Sequence, residues 1–216
     1  MATPEAALAF AASWLAPAFV LWGSPITWLE LVAVVLSIAM VLCNLRVDPT
    51  GWPLAIVSSA LYGVLFAANR LYGEATLQLL FIAVAFWGWW QWLRGRSGNG
   101  EPLRVHRMSA RQIGWVGALT LLAWPLLGLV LQHHTDSDVP YLDALPTAGS
   151  VAGQFLLGRK LIENWLVWLA VNVFSVGVFS YKGLWLTALL YALFAGLSVA
   201  GWRAWRARLT AREVGA

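Results

Sequence analysis

The chain has 216 residues, of which 60% are hydrophobic and 11% are charged, with 15 tryptophans and a formal net charge of +4. Soluble domains carry about 25% charged residues, so the composition excludes a water-soluble globule and indicates an integral membrane protein. The positive charge does not indicate nucleic acid binding, because the basic residues are confined to loops between apolar runs, where they act as topology signals.

Residues 1–25 are predicted to form an N-terminal interfacial segment. The stretch from Ala6 to Gly23 is apolar but contains Pro17, which favours a helix that lies at the membrane surface and ends near the proline. A full membrane span is the alternative. The segment lacks the basic n-region of a cleavable signal, so we expect it to be retained.

Seven uncharged runs follow, each close to the roughly 20 residues that cross the hydrocarbon core of a bilayer. The sequence therefore predicts an all-α membrane protein with seven transmembrane helices. The first and fifth runs are short and would be extended by Trp28 and Leu29, or by Tyr141 and Leu142. The runs are Leu31–Leu45, Pro49–Asn69, Ala75–Leu93, Gln112–Thr135, Ala144–Gly158, Asn164–Tyr181 and Gly183–Trp202.

The basic residues predict the orientation of these spans. Of the 14 Lys and Arg residues, only Arg70 and Lys182 lie on one predicted side; the other twelve lie in the loops after spans one, three and five and in the C-terminal tail. Cytoplasmic loops are enriched in Lys and Arg. We therefore expect a cytoplasmic C-terminus and an outer N-terminus.

The chain also contains a weak internal repeat at a constant offset of 113 residues. Trp52 aligns with Trp165, Gly88 with Gly201, Trp89 with Trp202 and Trp92 with Trp205. Residues 26–94 and 139–207 are thus predicted to be two three-helix repeats, separated by a loop and linking helix (95–138) and followed by a tail (208–216). The linking helix keeps the two units parallel, which gives a 3+1+3 arrangement as in the SWEET proteins.

The sixth span carries the strongest candidate site. Trp165, Trp168 and Asn172 follow the spacing i, i+3 and i+7, which places two indoles and a carboxamide on one helix face. A carboxamide inside a membrane is costly unless it is paired, so the face predicts a site for a flat, hydrogen-bonding solute. In the alternative, Trp165 is an interfacial anchor and Asn172 joins two helices.

The fifth span is too polar to face lipid. Thr147, Ser150 and Gln154 form a second i, i+3, i+7 stripe. We expect Gln154 to face the solute pathway. For Thr147 and Ser150, close helix packing through the neighbouring glycines is an equal alternative.

The first repeat is expected to contribute less to the site. Trp52 is kept, but Ala55 and Ser59 stand at the positions of Trp168 and Asn172. The site is therefore predicted to be asymmetric. The remaining candidates are Tyr191, which occupies the repeat position of Gln78, and three residues for which plain packing is the alternative: Ser58, Tyr62 and Gln78.

Signals for catalysis and ion coupling are missing from the sequence. There is no P-loop or GxSxG motif, and His133, His134, Asp136 and Asp138 lie in a short outer loop. No Asp, Glu, Lys or Arg lies in the middle of a span, where a proton or cation relay would be expected. We therefore expect no enzyme activity, no cofactor, no metal site and no coupling ion.

The pattern RKxxENWxxWxxxNVxSV, followed by KGLW and a GxRxW ending, resembles the PnuC family of bacterial transporters for nicotinamide riboside and related vitamins. The resemblance implies that Trp165, Trp168 and Asn172 lie at the substrate site, and that the solute enters by facilitated diffusion through the inner membrane. It also implies trapping of the solute by a cytoplasmic kinase, and a homo-oligomer such as a trimer. The alternatives are a carrier of another vitamin, such as thiamine or riboflavin, and a membrane sensor or structural subunit.

Overall fold

The computed structural model describes residues 13–21, 24–68, 72–97, 100–134, 139–181 and 185–214. The predicted N-terminal helix falls mostly outside these residues. In the N-terminal segment, the described residues are helical only at 13–15. They then form an antiparallel hairpin of β1 (Pro17–Leu21) and β2 (Ser24–Thr27). This hairpin was not predicted, because its strands are short and Pro17 and Pro25 interrupt any alternating pattern.

Seven helices follow in the described residues, and each overlaps one of the predicted runs. They are α1 (Trp28–Leu45), α2 (Gly51–Ala68), α3 (Tyr72–Arg94), α4 (Ala110–His134), α5 (Pro140–Gly158), α6 (Asn164–Tyr181) and α7 (Trp185–Val214). Local interactions determine where α1 and α5 begin, the two helices whose predicted runs were short. The hydroxyl of Thr27 caps α1 by accepting from the Glu30 N–H at 3.1 Å, and Pro140 occupies the first turn of α5.

Five of these helices are long and apolar enough to cross a membrane: α1, α2, α4, α6 and most of α7. The protein is therefore a multi-pass membrane protein. The other two, α3 and α5, are diluted by polar side chains such as Gln78 and Gln91 in α3 and Asp143 and Gln154 in α5.

The helices pack as two bundles that meet twice. In the first bundle α1 packs on α2 and α2 on α3, and in the second bundle α5 packs on α6 and α6 on α7. The bundles touch where α3 packs on α5 and where α7 packs on α1. These pairings close into a ring in the order α1, α2, α3, α5, α6, α7, while α4 joins the protein through α5.

Two matching turns lie at one end of this ring, which we call the basic end because it carries Arg46, Arg94 and Arg159. After α1, Val47 has φ 60° and the Asp48 N–H returns to the Cys43 carbonyl at 3.0 Å. After α5, Lys160 has φ 54° and the Leu161 N–H returns to the Leu156 carbonyl at 3.0 Å. Both helices thus end in a Schellman motif, with a left-handed residue that is not glycine.

The hydrophobic core lies at the basic end and is built on four indoles, which we call the tryptophan cluster: Trp52, Trp92, Trp165 and Trp205. Trp52 meets Trp92 edge-on with ring centroids 5.6 Å apart, and Trp165 meets Trp205 in the same way at 5.6 Å. Between the bundles, Trp92 and Trp205 lie 6.3 Å apart. Aromatic pairs at these distances add about 0.5–1.5 kcal/mol each beyond their burial.

Hydrogen bonds cross between the bundles inside the cluster. Trp92 Nε1 donates to the Leu157 carbonyl at 2.9 Å, and Trp205 Nε1 donates to the Asn44 carbonyl at 3.0 Å. Donors and acceptors are both related by the offset of 113, so each bundle supplies one donor and one acceptor. The two bonds fasten α3 to α5 and α7 to α1.

The linker between α3 and α4 covers the second bundle at the basic end. Leu103 and Val105 are buried in it, and the His106 N–H donates to the Lys160 carbonyl at 3.1 Å. In return Lys160 Nζ donates to the Leu103 carbonyl at 3.0 Å and lies 5.0 Å from the centre of the Trp92 ring. Burial lowers the pKa of Lys160.

Candidate functional site

Trp168 and Asn172 lie one turn apart near the middle of α6. The Trp168 ring lies on Gly153 of α5, where a Cβ would stand 3.0 Å from the ring. A side chain at Gly153 would therefore displace the indole. Trp168 is half-buried and Asn172 is 5% exposed, so this α6 face is enclosed between α5 and α7.

Asn172 contacts the seventh helix through its amide nitrogen. Its Nδ2 donates to Ser198 Oγ at 3.3 Å, and Ser198 Oγ donates to the Phe194 carbonyl at 2.8 Å. Ser198 is 3% exposed. Sequence reasoning missed Ser198; the available signal was the repeat, since Ala85 stands at its position in the first bundle just as Ser59 stands at that of Asn172.

The polar stripe of α5 divides between two roles. Gln154 is 8% exposed and follows Gly153, the glycine covered by the Trp168 ring. The Thr147 hydroxyl donates to the Asp143 carbonyl of its own helix at 3.0 Å. Ser150 is half-buried. The structure thus buries Gln154, while the hydroxyl hydrogen of Thr147 is used within α5.

Each of the two candidate tyrosines stacks on a phenylalanine of its own bundle. Tyr62 of α2 stacks on Phe66 with ring centroids 5.9 Å apart, and Tyr191 of α7 stacks on Phe179 at 5.1 Å. The Tyr62 phenol is within electrostatic range of both Tyr191 and Glu30. Gln78 of α3 contacts α2 beside Gly63. These residues form the part of the ring nearer the end opposite the basic end.

Trp165 and Trp52 lie in the tryptophan cluster, away from Asn172. The Trp165 ring covers Gly201 and the Trp52 ring covers Gly88, in both cases so closely that a Cβ on the glycine would overlap the ring. Their side chains are 3% and 1% exposed, and both indole N–H groups are buried without a hydrogen-bond partner in the described residues. A hydrogen-bond acceptor on a solute could pair with such an N–H group. Because Trp52 and Trp165 both carry an unpaired N–H group, this feature does not distinguish Trp165 as a site residue.

The remaining predicted and observed features do not add to this site. Asp136 and Asp138 of the outer loop lie outside the described residues, and the described residues contain no group of three His, Cys, Asp or Glu arranged to hold a metal. Between α5 and α6, an apolar groove of about 320 Å³ is lined by Leu142, Phe174, Val178 and Tyr181, among others. It contains none of the predicted polar residues.

These features define a class of protein. Apolar helices closed into a ring, with buried carboxamides inside the helices, are typical of a membrane transporter, since polar groups inside a bilayer mark solute pathways. The chain belongs to the nicotinamide mononucleotide transporter family, whose model matches residues 27–207.

Individual relatives agree with this assignment. The chain is 25% identical over 207 residues to the nicotinamide riboside transporter PnuC of Escherichia coli, covering 85% of this chain and 87% of the relative. It is 27% identical over 212 residues to the riboflavin/roseoflavin transporter RibM of Streptomyces davaonensis, covering 94% of this chain and 97% of the relative. The crystal structure of the vitamin B3 transporter PnuC matches with a TM-score of 0.66 at 25% identity, covering 83% of this chain and 80% of that one.

Proposed function

We propose that the protein carries nicotinamide riboside inward across the bacterial inner membrane by facilitated diffusion. The family and the PnuC relatives support the solute. The observation that carries the proposal to particular residues is the enclosed face of α6, where the Trp168 indole and the Asn172 carboxamide lie one turn apart at mid-depth. An indole can stack on a pyridine ring, and a carboxamide can pair with its amide group.

The proposed architecture is the 3+1+3 arrangement with parallel repeats. It is supported by helix starts that agree at the offset of 113, since Gly51 and Tyr72 open α2 and α3 while Asn164 and Trp185 open α6 and α7. The paired turns, aromatic contacts and indole hydrogen bonds at the basic end agree at the same offset. In this arrangement α4 is the linking span.

The proposed site is asymmetric and is centred in the second bundle. Trp168, Asn172 and Gln154 form its centre, and Tyr62, Tyr191 and Gln78 border it on the side away from the basic end. Ser150 and Thr147 line α5 beside it. Trp165 and Trp52 reach the solute only from the basic end, where the tryptophan cluster closes the pathway.

We propose that the basic end faces the cytoplasm and that the protein works as a homo-oligomer, which the PnuC resemblance implies to be a trimer. Because no coupling ion is expected, trapping of the solute by cytoplasmic phosphorylation would maintain the inward gradient. The enzyme for that step is a separate protein.

Riboflavin is the second candidate solute. The observation that favours it is the RibM relative, which matches 94% of this chain and 97% of its own length. A flavin ring is also flat and carries hydrogen-bonding groups, so the same α6 face would suit it.

Ligand binding to the purified protein tests the proposal. Trp168→Ala and Asn172→Leu should each weaken binding of the preferred vitamin by about 1–3 kcal/mol, from lost stacking and an unpaired polar group, which is roughly a five- to 150-fold loss of affinity. Ser59→Leu, at the position of Asn172 in the first bundle, is the matched control and should change affinity little. Binding of nicotinamide riboside, riboflavin and thiamine that is equally weak in the unmodified protein would refute the proposed function.

A further inference from the structure

The Asn172 and Ser198 side chains form a directed hydrogen-bond chain in the middle of the second bundle. Asn172 is eight residues from the start of α6, about 12 Å along the helix axis at 1.5 Å per residue. Both side chains are at least 95% buried, so water does not compete for their hydrogen bonds.

The hydrogen count of Ser198 fixes which atom of Asn172 faces it. A serine hydroxyl has one hydrogen, and Ser198 directs it to the Phe194 carbonyl at 2.8 Å, because a carbonyl can only accept. The Ser198 oxygen can then only accept a further bond, so the Asn172 group beside it, at 3.3 Å, must be the amide nitrogen. The Asn172 carbonyl oxygen is thereby turned away from α7, and no described residue donates to it.

We propose that Ser198 is a positioning residue that makes the transporter select solutes carrying an N–H donor. It holds the Asn172 carboxamide in the orientation that offers an acceptor, Oδ1, to the solute. A carboxamide or ring imide donates to that oxygen, whereas the corresponding acid has no hydrogen to donate and places a negative charge against it. This inference rests on the proposed function, with Asn172 at the solute.

The first bundle lacks this hydrogen-bond chain, so the chain is not a general feature of helix packing in both bundles. Ser59 and Ala85 stand at the two positions, and the serine pair of that bundle lies elsewhere: Ser58 Oγ donates to the Ala33 carbonyl at 3.1 Å and lies 2.8 Å from Ser37 Oγ. Ser58 is as buried as Ser198. It is therefore a matched control, a buried hydroxyl with a carbonyl partner but no carboxamide to orient.

The test measures affinity for amide and acid forms of one solute. Nicotinamide riboside and nicotinic acid riboside are titrated into the full-length protein in detergent, and their dissociation constants are compared. In the unmodified protein we expect the amide to bind at least tenfold more tightly, roughly the equivalent of one buried hydrogen bond. In Ser198→Ala the Asn172 amide is free to rotate and present Nδ2, so the preference should fall by about that factor.

Further variants separate orientation from stability. Ser198→Thr keeps the hydroxyl and should retain the preference, Ser198→Cys has a weaker donor and should lose part of it, and Ser58→Ala should lower the melting temperature without changing the preference. If Ser198→Ala folds poorly, the Thr and Cys variants carry the comparison. An unchanged amide preference in Ser198→Ala, or no preference in the unmodified protein, would overturn the inference.

Binding measurements with flavins show whether a negative result contradicts this inference or only the choice of nicotinamide riboside as the solute. If neither riboside binds and riboflavin does, nicotinamide riboside is the wrong solute, and the same comparison is made with riboflavin and its N3-methyl analogue, which lacks the imide N–H. The inference then requires a preference for riboflavin that Ser198→Ala reduces. It is overturned if both flavins bind equally well.

Discussion

Lys160 is a charged residue in an enclosed position, 9% exposed beside the Trp92 ring. Burial lowers its pKa below the usual value. Because the unfolded chain then binds the proton more tightly, the contribution of Lys160 to the free energy of unfolding is least favourable below the lowered pKa and rises with pH up to the unfolded pKa, about 10.4. The charge is tolerated because Nζ donates to Leu103 and faces an indole.

A pH series of melting temperatures checks this. As the pH rises toward the unfolded pKa of about 10.4, the unmodified protein should gain stability relative to Lys160→Met, which cannot titrate, because the folded protein releases the Lys160 proton at a lower pH than the unfolded chain does. Lys160→Arg keeps its charge as the pH rises and should show no such gain. A difference between the unmodified protein and Lys160→Met that stays constant with pH would contradict the prediction.

At the residue scale, the sequence could predict which residues share a helix face but not which residues meet across two helices. Trp168 and Asn172 were predicted to form a site because they share a helix face in an uncharged span, and the structure encloses both between α5 and α7. Ser198 lies seven residues after Tyr191, on the same face of α7, but a hydroxyl in a membrane helix usually bonds its own backbone, so this spacing did not indicate a partner on α6. Its role follows only from its distance to Asn172, which depends on how α6 packs on α7.

Among elements, the tryptophan cluster joins helices that are distant in sequence. Replacing Trp92 or Trp205 by Phe keeps an aromatic ring but removes the donor to a buried carbonyl, Leu157 or Asn44. Each variant should lose about 1–3 kcal/mol of stability, and the two losses should be similar because their surroundings match at the offset of 113. Melting temperatures in detergent measure this.

Trp89→Phe and Trp202→Phe are the controls for that experiment. These indoles pack beside the same cluster, on the same helices, and neither makes one of the two bonds between bundles. Both controls should cost less than the Trp92 and Trp205 variants. If all four variants have the same melting temperature, the two hydrogen bonds contribute no stability beyond that of ring packing.

Helix positions followed from the uncharged runs, but some ends did not. The run in α7 stops at the first arginine, Arg203, whereas the helix continues to Val214. Lack of charge marks the membrane and not the helix, and the segment after Arg203 is rich in Ala and Arg, which favour helix in water as well. The paired turns at Val47 and Lys160 were also not predicted, because neither residue is the glycine that usually occupies a left-handed position.

For the whole molecule, the orientation is a prediction that one fusion can check. Twelve of the 14 basic residues lie at the basic end or in the tail, and Lys and Arg are enriched in cytoplasmic loops. An enzyme reporter that works only in the cytoplasm should therefore be active when fused after Ala216. The same reporter placed in the loop at Asp136 should be inactive, and the reverse pattern would require a different number of spans.

The last prediction concerns the energetics of transport. A carrier concentrates its solute only if a second gradient is coupled to it, and a coupling ion or proton needs a polar or charged site inside the membrane. No Asp, Glu, Lys or Arg lies in the middle of any apolar run, so uptake into proteoliposomes should reach the outside concentration and stop. Because nicotinamide riboside is a cation, the membrane potential is clamped at zero with valinomycin and equal potassium on both sides.

Under these conditions an imposed pH or sodium gradient should not change the final solute concentration inside the vesicles. Asn172→Leu serves as the internal control, since it should slow uptake without moving the end point, as expected for a site that binds the solute but supplies no energy. Accumulation above the outside concentration that an ionophore abolishes would show a coupled ion. Glu30 and Asp143, in the first turns of α1 and α5, would then be the first residues to replace, because they are related by the offset of 113 and lie at the end opposite the basic end.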